Sequence, residues 1–283
     1  MKTITNQEFG GERPLYCSHD LYLDNVVIHE GESSVKECKN ISADNCRFEG
    51  KYVFWENDGV RCRNCYFAPS ARSSVWYSRH ISFRDCIVDA PKMFRRANGI
   101  VLEKVKLPHA EETFWDCSNI KLKKVQISDA DYLFMHSTNI DIEDYHQDGN
   151  YSFQYAKNVV ISHAVINSKD SFWNSENCTL IACEINGEYL GWYSRNMHLV
   201  RCHVTGKQPL CYCENLQMDD CTFGEDADLL FEYSTVNATI KGKVVSIKNP
   251  TSGRIECEEA GEIIIDQNQK QPADCEIIIK GQK

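Results

Sequence analysis

Apolar positions recur along this chain about every twenty residues. One of them, often preceded by Asn, falls at Leu21, Ile41, Val60, Ile81, Ile100, Ile120 and Ile140, then at Val159, Cys178, Met197, Leu216, Val236 and Ile255. Every step is 19, 20 or 21 residues, with a mean of 19.5. Further apolar positions follow this anchor two residues on (Leu23, Phe83, Leu102, Leu122, Ile161) and seven on (Ile28, Phe48, Phe67, Leu107, Ile185). Together with a column five after the anchor, the spacing reads as two short period-2 segments with a bend between them, which is strand patterning. Helical spacing is not sustained, and β-branched and aromatic residues dominate. Asn119, Asn139, Asn158, Asn177, Asn196 and Asn215 stand just before the anchor in six consecutive repeats, with Asn40 earlier. Asn tolerates the left-handed backbone of a tight corner, and stacked Asn side chains can bond along a ladder.

Three short strands per turn and one Asn corner predict an all-β, single-stranded parallel β-helix of about 12–13 coils of 19–21 residues. The whole chain, 1–283, then forms one domain: repeating coils over 21–255, an N-terminal cap over 1–20 and a C-terminal cap over 256–283 closing the open ends.

The segment ahead of each Asn corner is unusual. Eight before the anchor stand Tyr52, Lys92, Glu112, Tyr132, Tyr151, Asp170 and Tyr189. Six before it stand Phe54, Phe94, Phe114, Phe134, Phe153 and Phe172; four before it stand Glu56, Tyr77, Arg96, Asp116, His136, Tyr155, Asn174 and Tyr193. Strict alternation places these three rows on one face. Charges in two of them exclude that face from the core. The interleaved Trp55, Trp76, Trp115, Trp173 and Trp192 then point inward, although Arg95 shares their column, and the Phe row lies outside. The alternative is a bulge that returns Phe to an interior ladder and turns Trp outward.

Composition narrows the function. With 42% hydrophobic and 25% charged residues the chain is globular. A formal charge of −10 disfavours nucleic-acid and membrane-surface partners. No apolar run reaches the ~18 residues of a membrane span, and Met1–Glu8 has no apolar export core. Fifteen cysteines without an export signal predict reduced thiols and a cytoplasmic location. Thirteen fall in columns read as inward, among them Cys46, Cys65, Cys86, Cys183, Cys202 and Cys221 five after the anchor. Cys62 and Cys65, a C-x-x-C, are read as buried core thiols, with no metal and no cofactor expected.

The coil pattern with its Asn ladder resembles the pectin-lyase-like superfamily of right-handed β-helices. Glu12-Arg13-Pro14-Leu15, Pro91-Lys92-Met93-Phe94-Arg95, Gly187-Glu188-Tyr189-Leu190-Gly191-Trp192-Tyr193-Ser194 and Gln208-Pro209-Leu210-Cys211-Tyr212-Cys213 resemble a bacterial family known only as a domain of unknown function. The resemblance spans essentially the full chain and implies a right-handed coil. The superfamily includes polysaccharide lyases and glycoside hydrolases, but its calcium-binding Asp clusters and catalytic Asp triplets find no clear match here.

The outer strip reads as a shallow groove for an oligosaccharide or a sugar-containing small molecule, since flat rings suit sugar faces and polar groups suit hydroxyls. Arg96, Asp116 and His136 on successive coils, with Glu112, are the candidate catalytic groups. Lys92, Phe94, Phe114, Trp115, Tyr132, Phe134, Tyr151, Tyr155, Asp170 and Asn174 are the candidate substrate contacts. In an extended strand, Glu112 and Asp116 would lie about 13 Å apart. A glycosidase pair needs roughly 5–9.5 Å, so Asp116 would require another partner such as Asp131. The bland reading of Lys92 beside Glu112, and of Arg96 beside Asp116, is a ladder of ion pairs. Three functions stay open: a cytosolic hydrolase or lyase, a non-catalytic saccharide-binding protein, and an assembly module whose aromatic strip joins copies into a homo-oligomer.

Overall fold

The computed structural model describes residues 1–281. It is all-β among those residues, a parallel β-solenoid of about 15 turns. The chain divides into two compact units, Met1–Asp148 and a second beginning at Gly149.

In the first unit, strands such as His19–Asp24, Lys39–Asp44, Asp58–Arg63, Arg79–Arg84 and Asn98–Glu103 stack parallel, one per coil. Their register aligns the anchors: Leu21 with Ile41, Ile41 with Val60, Val60 with Ile81 and Ile81 with Ile100. The second unit repeats the arrangement with Val159 beside Cys178 and Cys178 beside Met197.

The ends differ from expectation. Lys2–Thr5 pairs with His19–Asp24, placing Ile4 beside Leu23, so the segment expected as a cap is itself a coil. At the other end Ser252–Ile264 and Glu276–Ile279 continue the stack. The anchor there is Gly253, opposite Val236; Ile255 pairs with Ala238 and lies two residues further along. A register shift between Ile240 and Lys243 accompanies the change. Cys257, opposite Ile240, therefore continues the column of Cys221. The last two residues of the expected C-terminal cap lie outside the described residues.

Left-handed residues mark both ends of the first strand in most coils. The residue before the anchor has φ between 51° and 57° at Asp20, Asn40, His80, Asn119, Asn139, Asn158, Asn177, Asn196 and Asn215. The expected ladder is present: Asn196 Nδ2 donates to Asn177 Oδ1 at 2.9 Å, and Asn215 Nδ2 to Asn196 Oδ1 at 2.8 Å. The bend four after the anchor is also left-handed, at Asn25, Asn45, Asn64, Asp85, Lys104 and Lys124 in the first unit and at His163, Ala182, Arg201 and Asp220 in the second. Asn64 Nδ2 donates to Asn45 Oδ1 there at 2.7 Å.

The cysteines that follow this bend have a structural use. Cys65 Sγ donates to the Ala43 carbonyl at 3.3 Å, and Cys202 Sγ to the Leu180 carbonyl at 3.3 Å, each closing a carbonyl of the coil before. All fifteen cysteines are free thiols; thirteen are buried, leaving Cys17 exposed and Cys275 half-buried. Both residues of the C-x-x-C lie in the core as expected. Burial pushes the Cys117 and Cys178 thiols up to about 12, away from reactive thiolate.

Candidate functional site

The segment ahead of the Asn corner is mostly not a strand. The residues eight and four before the anchor are left-handed from Tyr52 and Glu56 through Tyr189 and Tyr193, and from Phe114 onward so is the residue six before it, as in Glu112, Phe114 and Asp116, or Tyr132, Phe134 and His136. Only Val75–Trp76 and Phe94–Arg95 pair there as strands, in register with each other. Each left-handed residue re-aims its peptide, so side chains no longer alternate. Thr113 and Phe114 are both buried, Trp115 is half-buried, Asp116 is exposed and Cys117 is buried again.

This overturns the inward-Trp reading. Phe94, Phe114 and Phe134 are 0% exposed. Their rings stack with centroids 4.8 and 4.6 Å apart and planes within 3°. They belong to the core, where their burial leaves no surface for the expected ligand contact. The bulge alternative named the correct side, though the cause is left-handed residues on either side of each Phe, such as Lys92 and Arg96 or Glu112 and Asp116.

The tryptophans turn outward and lie along the stack. Trp76 Nε1 donates to the Lys92 carbonyl at 2.6 Å, Trp115 Nε1 to the Tyr132 carbonyl at 2.5 Å and Trp192 Nε1 to the Gln208 carbonyl at 2.7 Å. Arg95, awkward when read as inward, fills a missing rung. Its guanidinium carbon is 4.5 Å from the centroids of both the Trp76 and Trp115 rings, and its Nη2 lies 3.3 Å from Glu112 Oε2. Replacing Arg95 by Leu is expected to lower stability by about 1–2 kcal/mol, read as a lower urea midpoint with altered Trp fluorescence. An unchanged midpoint would show that the stack contributes nothing.

The expected site residues therefore separate into two rows. Lys92, Glu112, Tyr132, Tyr151 and Asp170 lie at one end of the segment. Lys92 Nζ is 3.1 Å from Glu112 Oε2, so Glu112 is held by two cations of its own chain. The Glu112 N–H donates to the Asp131 carbonyl at 2.9 Å. Lys169 Nζ stands 5.5 Å from the Tyr151 ring centroid. Burial raises the Asp170 carboxyl above its ordinary value, with Lys169 opposing and Glu188 adding to the shift. At the other end Arg96, Asp116 and His136 occupy successive coils and are all exposed. Arg96 Nε is 3.8 Å from Asp116 Oδ2. The ion-pair ladder thus accounts for both pairs, and Glu112 does not join Asp116.

In each unit a groove opens at the corner between this second row and the first strand, lined also by residues three before the anchor, Cys38 and Asn57 in the first unit and Ser175 in the second. In the first unit it encloses about 300 Å³ between Glu37, Glu56 and Tyr77 on one side and Lys39, Asp58 and Arg79 on the other. In the second it encloses about 230 Å³ between Tyr155, Asn174 and Tyr193 and the facing Lys157, Glu176 and Arg195. Tyr155 and Asn174 were expected as ligand contacts; Tyr193, Lys157, Glu176 and Arg195 were not chosen. Tyr193 stands in the outer row already read four before the anchor; the signal of the other three lay two before it, where charged side chains recur at Lys39, Asp58, Arg79, Lys157, Glu176 and Arg195.

These features define a parallel β-solenoid with an aromatic and charged groove repeated in both units. The chain belongs to a family described as protein of unknown function, DUF3737, whose model matches residues 2–278. No curated protein matches it. Among solved structures it is similar to a mutant tailspike protein of E. coli bacteriophage HK620 in complex with a pentasaccharide, at 9% identity over 97% of this chain and 72% of that one, with a TM-score of 0.42. The Dettilon tailspike protein is 11% identical over 93% and 61%, with a TM-score of 0.37. QnrB1, a plasmid-mediated fluoroquinolone resistance protein, is 12% identical over 83% and 94%, with a TM-score of 0.30. At such identities the likeness is one of fold alone.

Proposed function

We propose that the protein binds a saccharide in the groove of its second unit without turning it over. The observation that carries this reading is the pairing of two tyrosines, each more than two-fifths exposed, with facing Lys157, Glu176 and Arg195 across a volume of about 230 Å³. Aromatic surface beside fixed donors and acceptors suits a ligand that is apolar on its faces and polar at its rim.

Binding is favoured over catalysis by the surroundings of the candidate acid and base. Proton transfer and charge stabilisation work best where water is excluded. Asp116 is 46% exposed beside a guanidinium that is itself 62% exposed. Fifteen free thiols support residence in a reducing compartment, the cytoplasm. Among the described residues no helix is long and apolar enough to cross a membrane.

The test is a panel of neutral and acidic oligosaccharides, followed by melting temperature, calorimetry and a reducing-end assay. At least one member should raise the melting temperature by mass action. No new reducing ends should appear, and Tyr193→Ala should weaken binding by about tenfold. A panel without any shift would remove the binding reading, and accumulating product would return Asp116 and His136 to candidacy as catalytic groups.

A further inference from the structure

We infer that the uncovered end of the second unit docks a second copy of this chain, edge to edge and antiparallel, through the strand Glu276–Ile279. That strand pairs with Ser252–Ile264 on one side, in the register Ile255 with Ile277 and Cys257 with Ile279. Among the described residues no strand lies against its other edge.

The core stops there without a polar lid. Ile255 and Cys257 are fully buried, whereas Ile277 and Ile279, the next residues in their columns, are half-buried. Past Glu258 no strand among the described residues covers Ser252–Ile264. Ile263 lies opposite fully buried Ile247 yet is 42% exposed, and Ile265 is 50% exposed. Proteins protect a bare edge beside apolar surface with proline, a bulge or an inward charge. Glu276–Ile279 has none of these.

The sequence of the edge identifies its occupant. Glu276-Ile277-Ile278-Ile279-Lys280 runs from acid through isoleucines to base. Turned antiparallel about Ile278 it complements itself: Glu276 faces Lys280 of the second copy, Ile277 faces Ile279, and Ile278 faces its twin. A parallel pairing would set Glu276 against Glu276 and Lys280 against Lys280.

The backbone groups fall in the same register. The Lys280 N–H donates to the Cys257 carbonyl at 2.9 Å, so Ile278 and Lys280 turn their polar groups toward Ser252–Ile264. Ile277 and Ile279 then present theirs to the open edge. Those are the residues that an antiparallel pair centred on Ile278 joins by N–H···O=C bonds.

The charged side chains can reach across. Those of Glu276 and Lys280 are 61% and 60% exposed, beside Arg254 at 3.5 Å and Glu256 at 2.8 Å respectively. Arg254 and Glu256 hold each other at 2.6 Å, so neither is stranded when Glu276 and Lys280 turn to the second copy.

Sedimentation velocity of the full chain tests the pairing. One strand and one coil end make a small interface, so a monomer–dimer equilibrium is expected between ~1 and ~200 μM. Glu276→Lys and Lys280→Glu each set like charges opposite one another on both sides of the axis, and each should weaken the dimer at least about tenfold. Mixed in equal amounts, the two variants should form a heterodimer of wild-type strength, because every Lys then faces a Glu. The double variant Glu276→Lys/Lys280→Glu should dimerise by itself. If either charge variant has a lowered urea midpoint, Ile279→Pro serves instead, since it removes an N–H that faces the open edge; it too should be monomeric.

A wild type that stays monomeric throughout the range would overturn the pairing, as would a dimer that none of these variants weakens. Dissociation of the single variants without rescue on mixing would overturn the antiparallel register. Oligomers that keep growing with concentration would replace the closed two-fold pair by head-to-tail stacking and overturn it as well.

Discussion

Replacing Phe114 by Ala is expected to destabilise the protein by about 3–5 kcal/mol. The ring is fully buried, and its neighbours Phe94 and Phe114's other partner Phe134 are fully buried too. It lies within 4.8 Å of the Phe94 centroid and 4.6 Å of the Phe134 centroid, nearly parallel to both. Truncation removes apolar burial and opens a cavity between two rings whose positions are set by backbone bonds. The Asp116 N–H donates to the Met135 carbonyl and the Phe134 N–H to the Thr113 carbonyl, so the coils resist closing the gap. Phe114→Leu, which keeps most of the volume, should cost roughly half as much. Equilibrium urea unfolding of the three proteins measures the series. A Phe114→Ala loss under about 1 kcal/mol would contradict the buried ladder and restore the outward Phe row.

That reversal shows where sequence patterning stops being sufficient. The anchors, their steps of 19–21 residues and the Asn corner follow from period-2 strands and from a residue type that accepts positive φ. Each is a local property repeated many times, so the coil and the cysteine columns were legible. The segment ahead of the corner was misread because alternation presumes an extended backbone. Left-handed conformations at Glu112, Phe114 and Asp116 break that presumption, and nothing in the types Glu, Phe and Asp announces them together. The bend between the two period-2 segments was read from the spacing, but its left-handed backbone was not, since Lys104, Lys124, Ala182 and Arg201 occupy it beside Asn25 and Asn45.

The lining of the candidate groove was legible only in part. Tyr155 and Asn174 stood out because they vary in a row of outer polar residues. Lys157, Glu176 and Arg195 begin strands in register with one another, and a charged residue at a strand start is ordinary until its neighbours across the corner are known. The Phe residues failed as contacts once the backbone turned them inward. Arg95 went from an anomaly to a rung because its partners, Trp76 and Trp115, turned outward with it.

A large backbone effect is expected at Gly206, nine residues past the Met197 anchor. Its φ is +94°, and an added Cβ would stand 2.3 Å from the Gly187 carbonyl oxygen. Gly187 repeats the situation one coil earlier, with φ +146° and its own Cβ position 2.3 Å from the Ser168 oxygen. Successive coils approach at this corner so closely that only hydrogen fits between them. Gly206→Ala combines an unfavourable conformation, about 1–3 kcal/mol, with an overlap against backbone that no rotamer relieves. A total loss above about 3 kcal/mol, or failure to accumulate as soluble protein, is the expected result. Gly59→Asn supplies the control, because Gly59 also has positive φ, at +82°, yet an added Cβ there meets nothing closer than 3.5 Å. Gly59 sits in the column where Asn40 and Asn119 are native, so the control should remain within about 0.5 kcal/mol of wild type. Equal urea midpoints for Gly206→Ala and Gly59→Asn would mean that neither the positive φ nor the close approach of the coils requires glycine at Gly206.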